Sequence, residues 1–333
     1  MLNFSNQTLR LIAHASAGGS RVRVCLTNEM GSTPLRIGAA NIGLRTSGAS
    51  VDAGWQVDLS FSGRPSAVIP PGAALLSDPV NLAVAAFSDL AVSIHLPDSV
   101  QAATLHDMAQ QTGYVSSAGN FASTAALPVQ STISSWPFLA EVDVAGSGAS
   151  VVAIGDSITD GAHSLGNANH RWPDYLARRL QTERPAGSLP IGVVNRGIAG
   201  NSMLTEYSTA LIAGHSVAAR FDRDVLATAR AHTRGIAVLG ATMTPFEGLS
   251  YYLPQREAVR SQANDWIRNS GAFDFVADFD LALRDPSHPT RLNPSYDSGD
   301  HLHPNDAGYQ ALANAVPLAL FACPLCPGRL FYF

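Results

Sequence analysis

Two kinds of hydrophobic spacing divide this chain. Up to about residue 145 the apolar positions alternate with polar ones or gather in short runs. Arg21-Val22-Arg23-Val24-Cys25-Leu26 shows the alternation of a strand with one wet face. Similar runs recur at residues 8–14, 35–44, 67–69, 80–84 and 90–96. Turn chemistry separates them, at Asn28-Glu29-Met30-Gly31, Ser62-Gly63-Arg64-Pro65, Pro70-Pro71-Gly72 and Pro97-Asp98. Short strands with almost no helical period predict an all-β sandwich or jelly roll over residues 1–145. No aromatic platform for a glycan stands out, so the expected role of this domain is to brace the rest.

Gly146-Ser147-Gly148-Ala149-Ser150 reads as a flexible linker. After it the period changes. Val151-Val152-Ala153-Ile154 is a continuous apolar run ending at Gly155, the signature of a strand buried on both faces. A helix is expected from Trp172, with Pro173 in its first turn and Leu176 and Leu180 on one face. Strands follow at 191–194, 235–239 and 273–277. Helical spacing joins Phe221, Val225 and Ala229, and a longer helix opens at Pro254, places Val259, Ala263 and Ile267 on one side and closes at Gly271. Pro304 opens the last helix. Alternating strands and helices predict an α/β domain over residues 151–322, a doubly wound parallel sheet, followed by an irregular tail at 323–333.

The chemistry gathers in two stretches. Ser157 follows the first buried strand within Gly155-Asp156-Ser157-Ile158-Thr159-Asp160-Gly161, at the sheet edge where α/β proteins place ligands. Far downstream comes Asp300-His301-Leu302-His303-Pro304. Pro304 keeps His303 out of helical geometry, at the cap of the last helix. Asp300 can fold back to the Nδ1–H of His303, which fixes the tautomer and leaves Nε2 to take a proton from Ser157. Capping the helix is the competing reading of Asp300 and His303. Asp156 reads as a turn former, and His163, His170 and His301 as ordinary loop residues.

With these blocks the chain resembles the SGNH/GDSL hydrolase superfamily, in the branch with an amino-terminal β-domain. Asn195-Arg196-Gly197-Ile198-Ala199-Gly200-Asn201 matches that family's second block, and Arg171-Trp172-Pro173 and Thr242-Met243-Thr244-Pro245-Phe246 extend the likeness. The resemblance implies a flavodoxin-like hydrolase sheet and ester hydrolysis through an acyl-enzyme, with no metal or organic cofactor. Ser157 would be the nucleophile, His303 the base and then the acid, and Asp300 its orienter. Backbone N–H groups of Ser157 and Gly200 would form the oxyanion hole. The substrate would be a small acyl ester or an acetylated carbohydrate.

One block of the family is missing. No Gly-x-Asn-Asp ends a central strand between Gly200 and the strand at 235–239, and Asn264-Asp265 falls inside a helix. The interval is about what one βαβ crossover needs, so a βα unit is expected to be absent near residues 220–233. That would leave a slot of about 10 Å beside the first strand. The expected repair is a sideways slide of the 235–239 strand to pair with residues 151–154. Loss of one oxyanion donor would weaken turnover, and Asn201 is the candidate substitute, against its ordinary reading as a turn residue.

Composition narrows the alternatives. At 333 residues, with 46% apolar and 14% charged residues, the chain can build two cores. A net charge of −5 and no basic run argue against nucleic acid or an anionic membrane as the main partner, and no apolar run reaches spanning length. Cys25 reads as core, and the spacing of Cys323 and Cys326 as incidental. Met1-Leu2-Asn3-Phe4-Ser5 lacks a signal peptide's features and starts inside a strand-like run, which leaves a secreted or periplasmic location open if the native start is missing. Two other functions compete: a non-catalytic glycan-binding protein with a degenerate hydrolase domain, and a metal-dependent hydrolase using Asp156, Asp160, His301 and His303.

Overall fold

The structure is a computed structural model that describes residues 2–146, 148–183, 190–204, 213–227, 237–321 and 331–332. It divides into two compact units, Met1–Ser147 and Gly148–Phe333. Ser147, Cys323, Cys326 and the strand start at 235–236 lie outside the described residues.

The first unit is β-rich. Its strands are β1 (Asn3–His14), β2 (Gly19–Thr27), β3 (Leu35–Ile37), β4 (Ala39–Ser47), β5 (Ser50–Asp58), β6 (Ala67–Ile69), β7 (Ala74–Leu76), β8 (Val80–Val84), β9 (Asp89–Gln101), β10 (Leu105–His106), β11 (Gly113–Ala118), β12 (Val129–Ile133), β13 (Trp136–Pro137) and β14 (Leu139–Ala145). An antiparallel sheet runs in the order β12-β11-β1-β9-β4-β5, and a second runs β14-β2-β7 with β8 also paired to β2. Leu9, Leu11, Ile42, Val92 and Ile94 of the first sheet share one buried cluster with Val22, Val24 and Leu26 of the second. The two sheets therefore enclose a common core, as alternating strands demand. Arg10 is buried in the larger sheet and donates to the carbonyls of Ala49, Thr124 and Ala125, while burial pushes its guanidinium down to about 10.

The second unit holds a parallel sheet of β15 (Ala149–Gly155), β16 (Ile191–Gly197), β17 (Ala237–Ala241), β18 (Phe275–Ala277) and β19 (Phe331–Tyr332). Its helices are α1 (Ser157–Asp160), α2 (Trp172–Thr182), α3 (Val217–Phe221), α4 (Pro254–Asn269), α5 (Phe279–Leu283) and α6 (Asp306–Ala315), with a π-helical stretch at Asp222–Ala227 after α3. The linker is shorter than its composition suggests, because Ala149 and Ser150 already pair with Ile191 and Gly192.

The sheet order is β16-β15-β19-β17-β18, which corrects two expectations. The 235–239 region does not slide against the first strand, and the tail is not wholly irregular. Phe331–Tyr332 fills the slot, with Val151–Val152 on one side and Ala237–Val238 on the other. Backbone donors and acceptors inside a sheet need partners, and a short strand supplies them without moving either neighbour. Of the interval expected to mark the gap, residues 228–233 lie outside the described residues.

Two helices also differ from expectation. The last begins at Asp306, capped by the Asn305 side chain on the N–H of Gly308, so Asp300 and His303 do not cap it. In α4 the buried positions are Arg260 and Asn264, while Val259 is 65% exposed. The reason is electrostatic. Arg260 pairs with Glu257 and Asp280, and Asn264 bonds both the N–H and the carbonyl of Met243, so the polar face turns inward.

Tyr332→Pro should lower the urea midpoint of the second unit, by a loss of about 2–3 kcal/mol, because proline removes an N–H from an interior strand. An unchanged midpoint would show that this strand contributes nothing to stability.

Candidate active site

Register brings the site's parts to one edge. The pairing of β15 with β16 sets Gly155 opposite Gly197, so Ser157 and the Ala199-Gly200 loop leave the sheet at the same level. The two stretches are then tied together. Ile198 donates its N–H to the carbonyl of Gly155 at 3.1 Å, and Ala199 donates to the Asp160 carboxylate at 2.9 Å. Asn195 donates to the carbonyl of Thr159 at 2.7 Å. A Cβ at Gly197 would stand 2.1 Å from the Asp160 nitrogen, so only glycine lets the strand end pass this close to the serine turn. Asp156 caps α1 by accepting from the N–H of Ile158, and Gly161 ends it in the left-handed region at φ 100°.

Ser157 Oγ lies 2.8 Å from Nε2 of His303, and Nδ1 of His303 lies 2.5 Å from Asp300. The structure thus brings together all three of the residues that sequence reasoning paired. The other Asp300 oxygen accepts from the backbone N–H groups of Leu302 and His303. Burial works against the Asp300 charge, but the ring and backbone hydrogen bonds outweigh it and hold the carboxyl well below its usual range. Asp300 therefore remains an anion wherever an imidazole titrates. The His303 segment is pinned to the serine turn from α6, where buried Tyr309 donates its hydroxyl to the carbonyl of Ala162 at 2.5 Å.

The oxyanion candidates part company. Among the described residues the backbone N–H groups of Ser157 and Gly200 have no hydrogen-bond partner, and Gly200 stands at φ 75°. Asn201 is not available as the substitute donor. Both hydrogens of its amide go to the carbonyls of Ala213 and His215, and its oxygen accepts from Arg220.

Two residues carry more than their sequence context suggests. Arg220, 1% exposed, donates to the carbonyls of Gly155 and Arg196, to Asn201 and to Asp224. Burial lowers its pKa and the Asp224 carboxylate opposes that shift. Its setting, Arg220-Phe221-Asp222-Arg223-Asp224, offers nearby acids and gives no sign of the distant carbonyl partners. His163 lies not in an ordinary loop position but with its ring stacked on that of His303, centroids 5.1 Å apart. By contrast His170 pairs with Asp306 and His301 with Asp297.

Asp160 and His301 are thus committed elsewhere, which disperses the expected metal set. Among the described residues one group, His163, Asp300 and His303, gathers its ligand atoms within 4.8 Å. Its tightest pair stands 2.5 Å apart, closer than the roughly 3 Å between two ligands on one ion, and matches a shared proton instead. The array of hydroxyl, imidazole and carboxylate on the carboxyl edge of a parallel sheet has the order that acyl transfer by a serine requires.

Two family matches within residues 151–311 support placing the second unit in the SGNH/GDSL hydrolase superfamily. The GDSL-like Lipase/Acylhydrolase model matches residues 151–227, and the GDSL-like Lipase/Acylhydrolase family model matches residues 214–311. Among solved structures, a family two carbohydrate esterase from Clostridium thermocellum in complex with cellohexaose is 12% identical over 91% of this chain and 91% of that one, with a TM-score of 0.33. The salicylyl-acyltransferase SsfX3 from a tetracycline biosynthetic pathway is 12% identical over 97% of this chain and 83% of that one, with a TM-score of 0.26. No curated protein matches the chain.

Gly197→Ala should cost about 1–3 kcal/mol by overpacking and reduce whatever turnover Ser157 supports, since backbone must yield at residues 159–160. Thermal melting and fluorophosphonate labelling of Ser157 measure the two effects. A variant that melts and labels like the wild type contradicts this account of the strand end.

Proposed function

We propose that this protein hydrolyses carboxylic esters through a Ser157 acyl-enzyme, on small acyl esters or acetylated carbohydrate. The observation that carries the reading is the unbroken chain of hydrogen bonds from Ser157 Oγ through His303 to Asp300, at 2.8 and 2.5 Å. Ser157 attacks the ester carbonyl while Nε2 of His303 accepts its proton. Asp300 stabilises the imidazolium that results. Charge on the carbonyl oxygen is met by the N–H groups of Ser157 and Gly200. The tetrahedral adduct collapses as His303 returns the proton to the departing alcohol. Water, deprotonated by the same imidazole, then releases the acid and restores Ser157. None of these steps draws on a metal or an organic cofactor.

On this reading residues 151–322 perform the chemistry, and residues 1–145, a sandwich or jelly roll, brace them. Turnover is weakened by the absent third oxyanion donor, at a cost of about 10²–10³ in kcat. The sequence motif for that donor is missing, and the Asn201 amide is engaged elsewhere.

Hydrolysis of a p-nitrophenyl ester series tests the proposal. Ser157→Ala should reduce kcat by about 10⁴-fold or more, and Asp300→Asn by about 10²–10⁴-fold. A fluorophosphonate should label the wild type at Ser157. Equal rates in wild type and Ser157→Ala would end the serine mechanism. Glycan binding by titration calorimetry, without turnover or labelling, would favour the non-catalytic alternative.

A further inference from the structure

Arg220 touches the backbone that leads to each of the two open oxyanion donors. Its Nη2 donates to the carbonyl of Gly155 at 2.9 Å and to the Asn201 side-chain oxygen at 3.0 Å. Gly155 lies two residues before Ser157, and Asn201 directly follows Gly200. Nε also meets the Asn201 oxygen, at 3.2 Å, while Nη1 meets the Arg196 carbonyl at 2.7 Å and Asp224 at 2.9 Å. Each of the guanidinium N–H groups therefore has an acceptor, which fixes the plane of the fork.

The turn that carries Gly200 is closed by the N–H of Asn201 on the carbonyl of Ile198, at 3.0 Å. Gly200 takes the third position of this turn, at φ 75°. The N–H of Ile198 goes to Gly155 and that of Ala199 to Asp160. Along the run Ile198 to Asn201, Gly200 is thus the residue whose N–H is left without a partner among the described residues. The Asn201 amide holds the turn to the carbonyls of Ala213 and His215, and Val217 and Ala218 of α3 donate to the carbonyls of Ser202 and Met203. Arg220, itself in α3, joins this assembly to the end of β15.

We propose that Arg220 is a positioning residue, which acts with Asn201 to set how the Ser157 and Gly200 N–H groups converge on the substrate's carbonyl oxygen. The inference rests on the esterase reading, because the charge these donors meet arises only in that reaction. Hydrogen bonds weaken steeply as their angle departs from linear. With two donors rather than three, a misdirected N–H removes a large share of the stabilisation. The ester in its ground state carries no oxyanion, so the loss falls on kcat and leaves KM nearly unchanged.

The test compares Arg220→Lys, Asn201→Ala and the double variant in the full chain. Lysine keeps a cation for Asp224 but lacks the planar fork. Asn201→Ala removes the group that Arg220 grips. The readouts are p-nitrophenyl acetate hydrolysis, inhibition by a trifluoromethyl ketone, whose adduct with Ser157 carries the oxyanion, and thermal melting to correct for the folded fraction. In each single variant kcat should fall about 10–100-fold, KM should stay within about threefold, and the ketone should bind more weakly by the same factor as kcat. The double variant should lose about as much as the worse single, because the two residues act as one unit. Wild-type kcat and ketone affinity in folded Asn201→Ala overturn the proposal, and so do losses that multiply in the double variant. If Arg220→Lys does not fold, Asn201→Ala decides alone. Equal rates in wild type and Ser157→Ala would instead end the esterase reading, a result distinct from serine-dependent turnover that both variants retain in full.

Discussion

The tie that holds the Ser157 turn to the end of β16 is the constraint on which the rest of this site depends. Ser157 and His303 are 146 residues apart and must meet within a hydrogen bond. That tolerance cannot be met by a loop left to wander. Here the turn is bonded by Asn195, Ile198 and Ala199, and it is approached by a strand end that only glycine permits. Register does the first part of the positioning, since Gly155 faces Gly197. Polar anchors do the second.

Arg220 is the most consequential of those anchors. A buried guanidinium is costly to desolvate and persists only where its donors find acceptors. Arg220 finds the carbonyls of Gly155 and Arg196, the side chain of Asn201 and the carboxylate of Asp224. It thus fixes the ends of two neighbouring strands and holds Asn201 in place through the Asn201 oxygen. The same engagement explains why Asn201 is no substitute oxyanion donor: its amide helps to build the floor of the site.

Much of this was legible in the sequence because it follows from local rules. The alternation of Arg21 to Leu26 and the continuous apolar run at 151–154 each state a strand and its exposure. The Asp300-x-x-His303-Pro304 spacing is itself a geometric statement, since three residues of loop let a carboxylate reach the ring. What was hidden depended on partners remote in sequence. The inward face of α4 follows Arg260 and Asn264 because Asp280 and the Met243 backbone wait for them, so apolar spacing pointed to the wrong side. His163 lay in a run of small polar residues that gives no period at all, and only its stack on His303 reveals it.

The strand at Phe331–Tyr332 was hidden for the same reason, and its shortness has a physical sequel. It pairs with Val151–Val152 and Ala237–Val238. The carboxyl ends of β15 and β17 run on beyond it, toward the edge that carries Ser157. Backbone groups at such an edge must find other partners or remain unsatisfied. At Gly155 the carbonyl does find them, accepting from Ile198 N–H and from the Arg220 guanidinium. The pairing at Phe331–Tyr332 thus stops short of Gly155, whose carbonyl is satisfied by the neighbouring loop and by a buried side chain.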